Sequence, residues 1–563
     1  MAYRIVTGRV LIALVVVIVA VITYPGELLV SLATRFTPAP SATPGPPGAL
    51  PWLHVAHPAG GRPYIADDQG RMVLLHGAIP ASLLEFGPDA GPFYPLDPAA
   101  YANGQCPPNS PMSRYPPLCQ ADLEAMTAMG FNSIRLPLSW SLLEPERGQF
   151  NALYLDRVAQ VVDWARELHM YVIVDMHQNA YSHYVGAGDK TVDLAYDSGA
   201  PRWATFTDGL PSHVYRKQRE LNPAVLEATT NFWYDRAGIQ DEYLATLAFV
   251  ARRFRDDPVV AGYSIYNEPL PGWNLPPGFE DLLLFPFYRR AIDAITGVHD
   301  GLPCWSGFFL PAPCGYRDLG ADDRRHLMFV DAGLLRQVTD FPTHLGLPLS
   351  SYPNVVLSIH AYTHVFTIDH LLPQQVSSTS YPWGGYDQSY SLAEREARAM
   401  DAALFVAEFG NSPDDDNVIL KAQVGEQERH RTGFAFWPWK ENGSGWGVYA
   451  PPKAPADSSG CLRASRERLL ARVYPRATFD PTLTFSYDSS DGSFTLKASG
   501  RGDDPSTVVY VPPEVTGQIT SSGAVRVAIG SETGGSRVIL AAPTGGPFVI
   551  ALAPTPLTLT GCA

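Results

Sequence analysis

Eight short apolar runs alternate with amphipathic stretches between residues 73 and 437, and this alternation leaves few folds open to the chain. The runs cover residues 73–77, 133–137, 171–175, 260–266, 327–330, 355–360, 404–408 and 433–437. Each has the length and bounding turn residues of a strand. Helical patterns lie between several of them, over residues 120–129, 155–168 and 242–254. Strand–helix alternation repeated eight times predicts an α/β fold, a closed (β/α)8 TIM barrel over residues 52–475. Beyond Tyr474 the helical pattern stops. Short alternating runs with Gly, Ser and Asp turns then predict a small C-terminal antiparallel β-sandwich over residues 476–563.

The chain begins with Arg4 and Arg9 and an apolar run over residues 10–22, interrupted at Pro25-Gly26-Glu27 and resumed over 28–33. That run is shorter than the roughly 20 residues of a comfortable membrane span. It has the proportions of a signal-peptide core. Residues 1–36 therefore read as a signal peptide, with cleavage after Ser31-Leu32-Ala33, or as an uncleaved signal anchor. Both readings place the body outside the cytoplasm, secreted or membrane-anchored. Residues 37–51, rich in Pro, Ala, Ser and Gly, read as a linker. Six cysteines agree with an oxidising compartment. Cys106 with Cys119, and Cys304 with Cys314, are near enough in sequence to clip their loops. Cys461 and Cys562 are left to join the two domains.

Net charge is −15, which argues against a nucleic-acid partner and against electrostatic docking to anionic lipid. It does not argue against lipid bound through apolar surface.

In a parallel barrel the C-terminal ends of the strands line the active site. Asn267-Glu268-Pro269 follows the fourth run and Glu408 ends the seventh. Two carboxyl groups so placed are what a glycosidase needs: one protonates the leaving oxygen, and one attacks or activates water. Other strand ends carry Arg135 (second), Asp175 and His177 (third), His360 and Tyr362 (sixth) and Trp437 (eighth). No metal is implied. There is no Cys-x-x-Cys, and His360 lies on a strand, so its spacing from His364 does not bring both onto one helix face. No cofactor is implied either, since two carboxyl groups suffice. Glu144 and Glu146 flank Pro145 and read as capping or solvated, whereas Glu441 is a candidate for a sugar subsite. The apolar residues 282–288 read as helix core, and residues 308–311 as an apolar lip between Cys304 and Cys314.

As an ordered set, Arg135, His177, Asn267-Glu268, His360-x-Tyr362, Glu408 and Trp437 resemble glycoside hydrolase family 5. Asp175-Met176-His177-Gln178, the stretch from Pro201 and Trp203 to Asp208, Asn231-Phe232-Trp233, residues 140–150 and the Tyr474-Pro475-Arg476-Ala477 junction resemble its endoglycoceramidase branch. Those enzymes cut between the glycan and the ceramide of glycosphingolipids. The resemblance implies a glycolipid substrate, met at a membrane surface or in lipid micelles, and retention of configuration. It implies Glu268 as acid/base and Glu408 as nucleophile. Arg135 would hold Glu408 ionised and Tyr362 would donate to it. His360 would orient Glu268, and the neighbouring Glu408 charge would favour the protonated acid. Asn267 would bond the sugar 2-hydroxyl, Trp437 would form the floor, Trp203 a second wall, and Asp175 and His177 would bind hydroxyls.

Two departures bear on the glycan. Residues 78–86 hold no lysine where the family places a sugar-contacting one, and Asn179 stands where an Asp is usual. They keep open a β-glucosidase or β-galactosidase acting on simpler lipid glycosides, such as a steryl glucoside or monohexosylceramide. A polysaccharide hydrolase would need a long groove lined with aromatics on both sides. A catalytically dead binding protein would have no use for an intact carboxyl pair.

Overall fold

The computed structural model describes residues 50–85, 92–186, 198–213, 219–274, 278–299, 303–305, 311–313, 318–340, 349, 352–362, 385–443, 445–451, 460–532 and 535–562. The N-terminal segment, residues 308–310 of the proposed lip, His364 and the Cys304–Cys314 pairing lie outside what is described. Among the described residues no helix is long and apolar enough to cross a membrane.

Eight parallel strands close into a barrel: His76–Ala78, Ser133–Ser139, Tyr171–His177, Val260–Ser264, Leu327–Asp331, Val355–His360, Ala403–Phe409 and Gly433–Phe436, with the last hydrogen-bonded to the first. Every one of these strand residues is buried. This is why they read as continuous apolar runs rather than alternating ones. Closure demands close approach: a Cβ on Gly262 would sit 2.1 Å from the carbonyl oxygen of Leu327 on the next strand. Two of the helices begin at asparagine caps. Asn151 accepts from Tyr154 N at the start of Ala152–Glu167, and Asn222 precedes Pro223 at the start of Pro223–Trp233.

Several strand ends shift from the sequence reading by one or two residues, and two of the differences change the layout. The first apolar run feeds two sheets. Met72–Val73 pairs with Tyr474–Thr478 outside the barrel, and only His76–Ala78 enters it, with Leu74 and Leu75 making the crossing. The second strand does not stop at Pro137 but continues to Ser139, so Arg135 is its third residue and not its end. Pro137 pairs in register with Asp175, inside a sheet where proline is normally excluded.

The strands His54–Ala56, Tyr64–Ala66 and Met72–Val73 precede the barrel and cover the end at which its strands begin. Tyr171 donates to the carbonyl of Pro51, and Val55 N–H to Asn354, just before the sixth strand. Leu53, Val55, Ile65 and Val73 share one apolar cluster with Leu75, Tyr171, Leu327, Phe329 and Phe405. The three strands also belong to the C-terminal β-rich region, which forms one nine-stranded antiparallel sheet with them. That sheet folds over a core of its own, including Tyr474, Leu496, Val509, Ile539 and Ile550. Its longest strand, Arg537–Leu552, pairs with Thr507–Val511 through one half and with Phe494–Gly500 through the other. Gly545 (φ 108°) lies between the halves and Gly546 (φ 125°), paired with Gly500, opens the second, both in backbone conformations open mainly to glycine.

Disulfides join Cys106 to Cys119 and Cys461 to Cys562, the second tying the C-terminus to the segment before helix Ala464–Leu470. Leu284, Phe285, Phe287 and Tyr288 are buried as helix core, while Leu282 stays exposed.

Candidate active site

Five barrel strands deliver ionisable side chains to one end. Arg135 is fully buried at the centre. Its Nη1 donates to Glu408 Oε2 at 3.0 Å, and its Nη2 to Asp175 Oδ1 at 2.9 Å and Asn267 Oδ1 at 2.8 Å. Tyr362 donates to the other oxygen of Glu408, Oε1, at 2.6 Å. Glu408 therefore receives a charge-assisted bond on one oxygen and a short hydroxyl bond on the other. Glu268 is more open: 21% of its side chain is exposed against 8% for Glu408. Its Oε1 lies 2.9 Å from His360 Nδ1. One carboxylate oxygen from each glutamate and a nitrogen of His360 all fall within 4.8 Å of one another. These atoms are close enough to ligate a single cation, but His360 turns Nδ1 to Glu268 and Nε2 to Asp331, so both nitrogens are engaged within the protein.

Each carboxyl feels a different balance. Burial would raise Glu268, but the hydrogen bond from His360 and the charge on that ring hold it below its ordinary range. Burial raises Glu408; His360 and Arg135 oppose this, and the Glu268 charge adds to it. In the free site the proton is thus drawn away from Glu268. This differs from the expectation that the site itself keeps Glu268 protonated: His360 outweighs burial. For His360, burial is the lowering influence, and the charges of Asp331 and Glu408 override it, raising the ring to about 10.

Asp175 also differs from expectation. It is fully buried, with Oδ1 on Arg135 and Oδ2 at 2.8 Å from His177 Nδ1, so neither oxygen faces a sugar. It orients those two side chains instead. His177 stacks parallel on Trp437, 5.6 Å between centroids and 2° between planes. Trp437 keeps part of its ring exposed and meets Tyr115 edge-on. Asn267 Nδ2 donates to the carbonyl of Gln178 at 3.0 Å and approaches His177 Nε2 at 3.5 Å. Trp203 stands apart from this network: its indole donates to the carbonyl of Glu144 and its ring meets Trp140 at 5.4 Å.

Glu144, expected to cap or be solvated, is buried, because Trp140 Nε1, Gly148 N and Thr246 Oγ1 all donate to its carboxylate. Glu146 is exposed. Glu441 is buried and accepts from Arg114 Nε and Trp446 N.

Sequence reasoning passes over three residues. Asp331 ends the fifth strand and touches His360, Arg135 and the Glu268 backbone. Its signal is available in the chain: it follows the apolar run 327–330, as Glu408 ends its own. Gln178, marked in the sequence only as part of a motif, donates to the carbonyls of both Asn267 and Glu268. Glu85 is buried, bonded by Ser139 and Ser141, and raised by burial to about 7. Nothing in its sequence surroundings marks it.

The model of the cellulase family, glycosyl hydrolase family 5, matches residues 108–443. Endoglycoceramidase I of Rhodococcus hoagii (strain 103S) is 24% identical over 455 residues, covering 80% of this chain and 78% of that protein. Among solved structures, an endogalactoceramidase is 28% identical with a TM-score of 0.70, over 90% of this chain and 100% of that one. Endo-glycoceramidase II from Rhodococcus sp., solved with ganglioside GM3, is 23% identical with a TM-score of 0.65, over 87% and 99%, a likeness of fold.

Proposed function

The chain belongs to glycosyl hydrolase family 5, and from that premise we propose that it hydrolyses the bond between glycan and ceramide in glycosphingolipids, with retention at the anomeric carbon. The observation that carries the chemistry is the approach of the two carboxylates within 4.8 Å. Retaining enzymes hold their carboxyl groups about 5–5.5 Å apart, whereas inverting ones leave about 6.5–9.5 Å for a water. The ceramide reading draws support from the two relatives that span most of the chain.

Glu408 attacks the anomeric carbon. Arg135 and Tyr362 hold its two oxygens in place and carry its charge until the bond forms. Glu268 gives its proton to the departing oxygen, then takes one from the water that releases the sugar. A sugar seated over Trp437 strips water from the more exposed Glu268. That desolvation favours its neutral form and moves the proton onto the acid when it is needed. In this reading one hydrogen of Asn267 Nδ2 goes to the Gln178 carbonyl and the other is offered to the sugar 2-hydroxyl.

The test is to incubate the purified protein with lactosylceramide and identify the released sugar. Intact lactose is the expected product; galactose released first would overturn endo cleavage. A second reading, exo-acting hydrolysis of a steryl glucoside or monohexosylceramide, draws on the absence of lysine from residues 78–86. It predicts glucose from steryl glucoside and no lactose from lactosylceramide. The apolar N-terminal run and the disulfides support a catalytic domain outside the cytoplasm, secreted or anchored, where a membrane surface presents its substrate. Activity confined to the cytosolic fraction would contradict that placement.

A further inference from the structure

Glu268 sits at φ 43°, in the left-handed region that a side chain of its size rarely occupies. Such a conformation persists only where its surroundings over-determine it. Gln178 Nε2 donates to its carbonyl at 2.9 Å and to that of Asn267 at 2.8 Å. Its N–H is taken by Asp331 Oδ2 at 3.1 Å. The same Oδ2 lies 3.0 Å from His360 Nε2, an ion-pair contact rather than a linear hydrogen bond, and 3.8 Å from Arg135 Nη2.

His360 therefore faces two carboxylates, one on each ring nitrogen. A bare lone pair on Nε2 would be repelled by Asp331 at 3.0 Å, so Nε2 carries a hydrogen. Nδ1 and Glu268 Oε1, 2.9 Å apart, then share one proton. It resides on Glu268 facing a neutral ring, or on Nδ1 facing a carboxylate. Other charged groups surround this unit. Glu408 lies 3.8 Å from Nδ1, and Arg336, Glu280 and Glu396 line a small cavity behind Asp331. His177 and Arg219 act on Glu268 from further away.

We infer that Asp331 is a positioning residue for the proposed reaction: it keeps Nε2 of His360 protonated and the Glu268 backbone in place, so that the proton destined for the leaving oxygen is held jointly by Nδ1 and Glu268. In the first step that proton passes from Glu268 to the leaving oxygen as the C1–O bond breaks and the bond from C1 to Glu408 forms. In the second, Glu268 takes a proton from water as the water oxygen bonds to C1 and the bond to Glu408 breaks. His360 retains its Nε2 hydrogen throughout. This role rests on the acid/base assignment of Glu268 and does not depend on the identity of the aglycone.

Asp331→Asn preserves size and an acceptor for the Glu268 N–H while removing the charge. Its kcat/KM is compared with wild type on lactosylceramide, whose leaving group needs a proton, and on 2,4-dinitrophenyl β-lactoside, whose leaving group does not. The loss on lactosylceramide is expected to exceed the loss on the aryl lactoside by about tenfold or more, a modest part of what general acid catalysis supplies. The basic limb of the lactosylceramide profile is expected to move to lower pH, because the shared proton loses its anionic anchor. The double variant Asp331→Asn/His360→Asn should lose little beyond His360→Asn alone. Equal losses on both substrates, no loss on either, or additive losses in the double variant would each overturn the inference. Should Asp331→Asn not fold, Asp331→Ser serves the same comparison. If wild type cleaves the aryl lactoside but not lactosylceramide, the ceramide reading fails. The inference is then judged on aryl lactosides of graded leaving-group acidity.

Discussion

The two ends of the barrel are built from the same eight strands yet solve opposite problems. Where the strands begin, three short strands cover them, and the contacts are almost wholly apolar: Leu53, Val55 and Ile65 over Leu75, Leu327 and Phe405. Where the strands finish, Arg135, Asp175, Asp331, His360 and Glu408 are equally buried, but every one is charged or titratable. The closed end gains stability from area removed from water, about 1.5–3 kcal/mol for each large side chain. The open end bears the desolvation of many ionisable groups and recovers it only through mutual pairing. Stability and chemistry thus occupy separate ends of one fold, with Arg135 as the residue that serves both.

That contrast can be broken or sharpened by substitution. The largest effect is expected from Glu408→Gln, a loss of about 10⁴-fold or more in kcat with an unchanged melting temperature, read by aryl lactoside hydrolysis and calorimetry. Glu268→Gln should cost about 10²–10⁴-fold on a lipid glycoside and far less on an activated aryl glycoside, a ratio that steady-state kinetics on the two substrates checks. Arg135→Met should abolish activity and also destabilise the protein by about 3–5 kcal/mol in urea titration, since it strands Asp175 and Glu408 as unpaired buried charges. Unaltered stability in that variant would undo the claim that Arg135 serves stability as well as chemistry. Leu75→Ala, at the closed end, should cost about 2–5 kcal/mol while leaving kcat/KM of the folded fraction unchanged.

The smallest effect concerns pH. Glu394 receives a hydrogen bond from His430, which outweighs burial; with Arg62 also beside it, the carboxyl falls to about 2. A carboxyl whose folded value is depressed contributes stability that is present above its ordinary value, about 4.5, and lost as pH falls towards 2. Melting temperature should therefore decline over that window, and Glu394→Gln should flatten the decline. Because Arg62 belongs to the segment covering the closed end, the same titration reports on how firmly that end is held.

Much of the site is legible in the chain's local pattern. Glu268, Glu408, His360 and Trp437 each follow or end an apolar run, and a barrel assigns such positions to one rim whatever their separation in sequence. For Arg135 the family resemblance supplies the right partner, whereas local pattern gives the wrong place on its strand, since Pro137 suggests an ending that the sheet does not make. Asp331 escapes because its strand reads as ending one residue earlier, at Val330. Trp203 carries a motif, yet its indole serves the Glu144 carbonyl. Glu85 is beyond the reach of local pattern because its donors, Ser139 and Ser141, come from a distant segment; Glu144 has two donors four residues away, Trp140 and Gly148, and only Thr246 is distant.

Periodicity alone determined the fold class of this chain and the rim on which its acids lie, because strand length and the alternation of strands with helices are local properties. Only the tertiary structure decided which strands pair across the chain's two ends, that Asp175 serves Arg135 and His177, and that His360 draws charge onto Glu268. Apart from the Asp175–His177 contact within one strand, those outcomes follow from distances of about 3 Å between residues far apart in sequence, where burial and neighbouring charge set both partner and protonation.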